Sequence, residues 1–114
     1  MTISERERLP NRRYAETFDL AHGDERPTAY RITVGYFAPG RPAEVFVTAP
    51  HVGSSQEAVA RDGAILLSLA MQFGIPLEVV AGAITREQDG RPSTIIGAVI
   101  DQLNQRRQQQ SDNV

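Results

Sequence analysis

The sequence predicts an α+β domain: an antiparallel three-stranded meander followed by three helices packed on one face of the sheet, in the order β-β-β-α-α-α. Three observations carry this reading. The first half of the chain alternates apolar and polar residues with period two, as half-buried strands do. The second half repeats its apolar residues with the helical period and carries clear start and stop signals. The segments between the strand candidates are too short for a parallel crossover, so consecutive strands pair antiparallel.

In the first strand, YAETFDL, Phe18 and Leu20 share a face, and His22, Gly23 and Asp24 mark the turn that follows. In the second, AYRITVGYF, Tyr30, Ile32, Val34 and Tyr36 lie on one face while Arg31 and Thr33 point the other way. Pro39, Gly40 and Pro42 supply turn chemistry. The third strand, EVFVT, sets Val45 and Val47 on one face and Phe46 on the other.

The first helix is predicted over SSQEAVARDGAILLSLAMQFG. Ser54 or Ser55 can cap its start, with Glu57 at the capping-box spacing from Ser54. Gly74 can take the left-handed position that ends it, followed by Pro76. Set out at 100° per residue, the helix has a narrow polar stripe of Glu57, Arg61, Ser68 and Gln72 and is apolar almost everywhere else. Such a helix is expected to be covered on more than one side: by the sheet, and by the later helices or a second subunit. Pro76 opens a shorter helix, PLEVVAGAIT, and Ser93 can cap a last one, TIIGAVIDQLNQ, with Ile95, Ile96, Val99, Ile100 and Leu103 in one stripe.

The 114 residues suit one domain. Residues 1–13 read as a flexible arm, 14–104 as the single α+β domain, and 105–114 as a polar tail that frays or carries the last helix into solvent. A net charge of −2 gives no basic field for nucleic acid or an anionic membrane, and basic and aromatic residues do not interleave. No apolar run approaches the roughly 20 residues that span a bilayer. The N-terminal MTISERERLPNRR lacks the apolar core of a signal peptide, so a cytoplasmic location is expected. With no cysteine, thiol catalysis, disulfides and cysteine-ligated metals are excluded. All twelve basic residues are arginine, which removes lysine chemistry as well.

Candidate chemistry is sparse. His51 lies near Ser54 and Ser55, but no orienting acid or G-x-S-x-G elbow accompanies them, and serines at a helix start are most often caps. No catalytic residue is therefore assigned, and an enzyme is not expected. Gly53, Ser54 and Ser55 at the helix start, with Arg61 about two turns on, form the candidate ligand-binding set, for an anion or nucleotide held by backbone N–H groups and the helix dipole. Asp62 falls among Val59, Ile65, Leu66, Leu69 and Phe73 on the wheel. There it would need a partner such as Arg31 at the rim of the core. His22 and His51 are the only imidazoles and no ligand spacing surrounds them, so neither a metal nor another cofactor is expected. Arg12-Arg13 and Arg106-Arg107 read as solvated pairs that an oligomer could gather into an anion-binding patch.

LP-N-RR near residue 9, TVGYFAPGRPAEVFVTAPHVGSS, SLAMQFGIPL and RPSTIIGAVIDQL fall in order along the chain. Together they resemble the C-terminal region of B12-dependent (class II) ribonucleotide reductases, a region grouped with the TSCPD-domain proteins. The resemblance covers about residues 9–104 and runs without a gap from Ile32 to Val79. It implies a small α+β fold, and as partners a nucleotide ligand or a reductase-like protein. It carries over no catalytic residue. The reductases hold their radical, cysteine and cobalamin sites in a large barrel domain, and the cysteine motif behind the family name has no counterpart here. The expectation is a non-catalytic, self-associating interaction or regulatory module, with a small nucleotide-binding protein as the alternative.

Overall fold

A computed structural model describes residues 5–50 and 53–112, with side chains as far as Arg107. Three strands, β1 (Ala15–His22), β2 (Thr28–Ala38) and β3 (Arg41–Thr48), precede three helices, α1 (Ser55–Gln72), α2 (Leu77–Ala83) and α3 (Ile95–Asp112). The sheet is an antiparallel meander in the order β1-β2-β3, with Phe18 opposite Ile32 and Val34 opposite Val45. The predicted α+β order and pairing are those observed.

One sheet face is buried by the helices. Tyr30, Ile32, Val34 and Tyr36 of β2 and Val45 and Val47 of β3 meet Ala60, Ala64, Leu67 and Met71 of α1. Leu77 and Ala81 of α2 and Ile95, Val99, Ile100 and Leu103 of α3 complete the core. Ile32, Val34, Val99 and Leu103 are its largest fully buried side chains. Removing such a side chain from water is worth about 1.5–3 kcal/mol. The opposite face carries Thr17 against Thr33, the Arg31–Asp19 ion pair and an exposed Phe46.

The helix ends follow their local chemistry. Gly74, at φ +84°, closes α1: its N–H reaches the Met71 carbonyl at 3.1 Å, and the Ile75 N–H reaches that of Ala70 at 3.0 Å. At α3 the cap is Thr94 and not the expected Ser93. Thr94 Oγ1 accepts the Gly97 N–H at 2.9 Å, while the Ser93 N–H donates to the Thr85 carbonyl at 3.0 Å. Gly63 lets α1 and α3 approach closely, since a Cβ there would lie 2.6 Å from Ile96 Cγ1. Arg86 ties the loop before α3 to that helix, making two 2.8 Å hydrogen bonds to Asp101 and one of 2.7 Å to the Ala81 carbonyl. This guanidinium holds the Asp101 carboxyl below the ordinary carboxylate range.

Part of the N-terminal arm is docked. The Glu7 N–H donates to the Gln72 carbonyl at 2.8 Å, Arg6 Nε to Gln72 Oε1 at 2.6 Å, and Arg13 pairs with Glu44 at 2.5 Å. Among the described residues no helix is long and apolar enough to cross a membrane.

Candidate functional site

The four residues of the sequence-derived ligand set come together at the start of α1, where the protein supplies its own anion. Ser54 is the N-cap, and its Oγ accepts the Glu57 N–H at 3.1 Å. The Glu57 carboxylate turns back to accept the Gly53 N–H at 3.1 Å and Arg61 Nη2 at 3.1 Å. Glu57 is 3% exposed, so this carboxylate sits inside the turn. Two of the donors expected to hold a ligand, the Gly53 N–H and the Arg61 guanidinium, are thus engaged by Glu57. Ser55 opens the helix and is exposed. His51 lies outside the described residues.

The polar stripe of α1 has a structural task. β3 is an edge strand, and its outward backbone groups would be left without a ladder partner. Ser68 Oγ accepts the Val45 N–H at 2.9 Å and donates to the Ala64 carbonyl at 2.8 Å, with the Val45 carbonyl also in reach at 3.3 Å. Gln72 Nε2 donates to the Ala43 carbonyl at 3.0 Å. The helix therefore turns its polar stripe to the strand edge and leaves apolar side chains outside. Val59, Ile65 and Leu66 are 72%, 50% and 68% exposed, and Phe73 is also accessible.

This placement corrects the expectation for Asp62. It shares the outer side of α1 and is exposed, so it needs no buried partner. Arg31 pairs instead with Asp19, on the sheet face away from the helices.

One polar cavity of about 500 Å³ was not legible in the sequence. It is lined by His22, Asp24 and Arg26 from the β1–β2 turn, by Gln56 from the first turn of α1, and by Arg91 and Ser93 from the loop before α3. His22 Nε2 lies 3.2 Å from the Ser93 carbonyl, which makes that nitrogen the protonated one. Arg91 reaches Asp89 at 2.7 Å and Asp24 at 3.4 Å, and Asp89 is held below its ordinary range chiefly by the Arg91 backbone N–H. These groups come from three separated segments, so no local motif announces them.

At the other sheet edge, Glu16 of β1 accepts the Tyr36 hydroxyl and pairs with Arg106 of α3, whose guanidinium lies over the Phe18 ring at 4.7 Å. Burial, and then the Glu16 hydrogen bond and charge, push the Tyr36 hydroxyl up to about 12. Among the described residues no group of three His, Asp or Glu side chains could hold a metal ion.

Two reductases show where related sequence occurs. The chain is 36% identical over 81 residues to a vitamin B12-dependent ribonucleotide reductase of Agrobacterium fabrum, a match covering 71% of this chain and 6% of that protein. It is 42% identical over 77 residues to the vitamin B12-dependent ribonucleotide reductase of Rhodopirellula baltica, covering 66% of this chain and 7% of that one. The chain thus spans a small fraction of the length of these relatives. No solved structure matches it. The family model described as TSCPD domain matches residues 4–109, nearly the whole chain, and the chain belongs to the TSCPD domain family.

Proposed function

We propose that this protein is a non-catalytic, self-associating interaction or regulatory module of the cytoplasm, built on the fold that the reductases carry as a small part of their length. The observation that carries this reading is the outer side of α1. Val59, Ile65, Leu66 and Phe73 line it, exposed beside Asp62, on a helix whose Ser68 and Gln72 are turned inward to β3. An apolar patch of this kind on a small domain marks an interaction surface. A standard dimer interface needs roughly 800 Å² per partner, about a tenth of the 7845 Å² that this chain exposes. Analytical ultracentrifugation across a hundredfold concentration range tests it. A concentration-dependent dimer or higher oligomer, lost in Leu66→Asp, is the expected result; a monomer at the highest concentration overturns the reading.

The alternative is a nucleotide-binding protein that senses or sequesters its ligand, and the polar cavity beside the first turn of α1 favours it. Arg26 would meet phosphate there, beside an Arg91 already paired with Asp89 and Asp24, and Gln56 and Ser93 offer donors and acceptors for a base or sugar. Because Glu57 occupies the turn at Gly53, the phosphate would sit on the His22 side of the helix start. A thermal-shift series with ribonucleotides, deoxynucleotides and cyclic nucleotides checks this: Tm should rise with ligand excess. No shift with any of them removes the alternative.

A further inference from the structure

The cleft between β3 and α1 adjoins the proposed self-association surface, sharing Ile65 with it, but has a chemistry of its own. It measures about 450 Å³, within the range of small-ligand sites. Phe46 of the strand and Ile65 and Leu69 of the helix give it accessible apolar surface, backed by the buried Val45, Val47 and Ala64. Arg6 of the docked arm and Arg61 of α1 stand at its rim. Two carboxylates stand against these groups, Glu44 paired with Arg13 at 2.5 Å and Glu57 with Arg61 Nη2 at 3.1 Å, and Arg6 Nε donates to Gln72 at 2.6 Å; the remaining N–H groups of Arg6 and Arg61 are donors for a further anion. The rim therefore favours a negative charge above an apolar floor.

The hydrogen bonds along β3 narrow the occupant further. An extended peptide would bind a strand edge through main-chain hydrogen bonds. Here Ser68 takes the Val45 N–H, and Gln72 takes the Ala43 carbonyl. With the ladder taken up at Ala43 and Val45, little of the strand edge in the cleft is left for a peptide, and recognition rests chiefly on apolar contact and on the two guanidinium groups. The geometry points to a binding site for a small amphipathic anion: an aliphatic body between β3 and α1, and a carboxylate at Arg6 and Arg61.

The test titrates the full chain with octanoate, with octan-1-ol as the neutral control of equal apolar body, and with propionate as the short anion. Binding is read by calorimetry and by amide chemical shifts. Octanoate is expected to bind saturably, shifting Val47, Ile65 and Leu69, and to bind more tightly than either control. Arg6→Gln and Arg61→Gln should each weaken octanoate by about threefold, the size of a solvent-exposed charge pair, and leave octan-1-ol unchanged. Ile65→Trp should fill the cleft and remove octanoate binding, with the circular dichroism spectrum confirming a folded chain. The assignment is overturned by non-saturable octanoate binding, by octan-1-ol binding equally well, or by unchanged binding in Ile65→Trp. It is also overturned if dilution alone, without ligand, produces the same shifts, because a second copy would then be the occupant. Self-association and nucleotide binding have their own readouts, so either can fail without deciding this one.

Discussion

The two edges of the sheet are closed by different chemistry. At β3, α1 uses neutral groups: Ser68 and Gln72 take up outward backbone groups in a protected seam, and Gln72 is 5% exposed. At β1, α3 uses charge: Arg106 pairs with Glu16, which also accepts the Tyr36 hydroxyl. Neutral hydrogen bonds at buried and part-buried groups are insensitive to salt and pH, but costly when one partner is lost. A half-exposed ionic cluster is screened by salt and responds to pH. The contrast explains how a helix can be so apolar outside: the work at the β3 edge takes up the polar side of α1.

The largest expected effect tests the neutral edge. Gln72→Ala leaves the Ala43 carbonyl and the Arg6 Nε without their partner and opens a small void beside α1. A loss of about 2–3 kcal/mol in urea unfolding is expected, from an unsatisfied buried acceptor together with lost packing. A loss below about 0.5 kcal/mol would mean that closing this edge contributes little to stability.

The charged edge is broken by alkali. The Tyr36 hydroxyl is pushed up to about 12 in the folded chain, against about 10 for an ordinary tyrosine. Raised in this sense, it contributes stability that is complete below pH 10 and is lost as pH rises through 12. Solvent screening at this partly exposed ionic cluster reduces the expected loss to about 1 kcal/mol. Denaturant midpoints at pH 9 and pH 12, beside tyrosinate absorbance, measure this. Tyr36 should ionise above the ordinary tyrosine range. Glu16→Gln should move the Tyr36 titration downward while leaving the part due to burial.

Ser68→Ala is the milder test of the neutral edge, because the Val45 N–H loses one partner at a partly buried position. A destabilisation of about 1 kcal/mol is expected. It should be the same in low and high salt, whereas Arg106→Gln should cost less as salt rises. Equal salt responses at the two edges would remove the distinction between them.

The strand alternation of Tyr30, Ile32, Val34 and Tyr36, the Ser54 cap and the Gly74 stop were legible because each is a local signal whose physics lies within a few residues. The direction in which α1 turns was not. A helical wheel groups Glu57, Arg61, Ser68 and Gln72 on one stripe, but only the position of β3 decides that this stripe faces an edge strand. Asp62 was misplaced for the same reason, since an apolar neighbourhood on the wheel was equated with burial. At the candidate site, Ser54 with Glu57 was visible as a capping pair, yet the closing of Glu57 onto Gly53 and Arg61 is tertiary detail. The polar cavity needs His22, Gln56 and Arg91 together, and sequence separation hides that.

The smallest expected effect on the folded chain is the sharpest test of its outer surface. Leu66 is 68% exposed, so Leu66→Asp removes little buried area and creates no buried charge. Its unfolding free energy, measured at a concentration low enough to keep the chain monomeric, should stay within about 0.5 kcal/mol of the parent. At high concentration the two should part. The parent gains stability by mass action from a partner that binds only the folded chain, and Leu66→Asp does not. Equal midpoints for both proteins at every concentration would leave the outer side of α1 with no role in assembly. A fall in stability already present at the lowest concentration would show that this side is packed within the monomer, and that the two sides of α1 differ less than their exposures indicate.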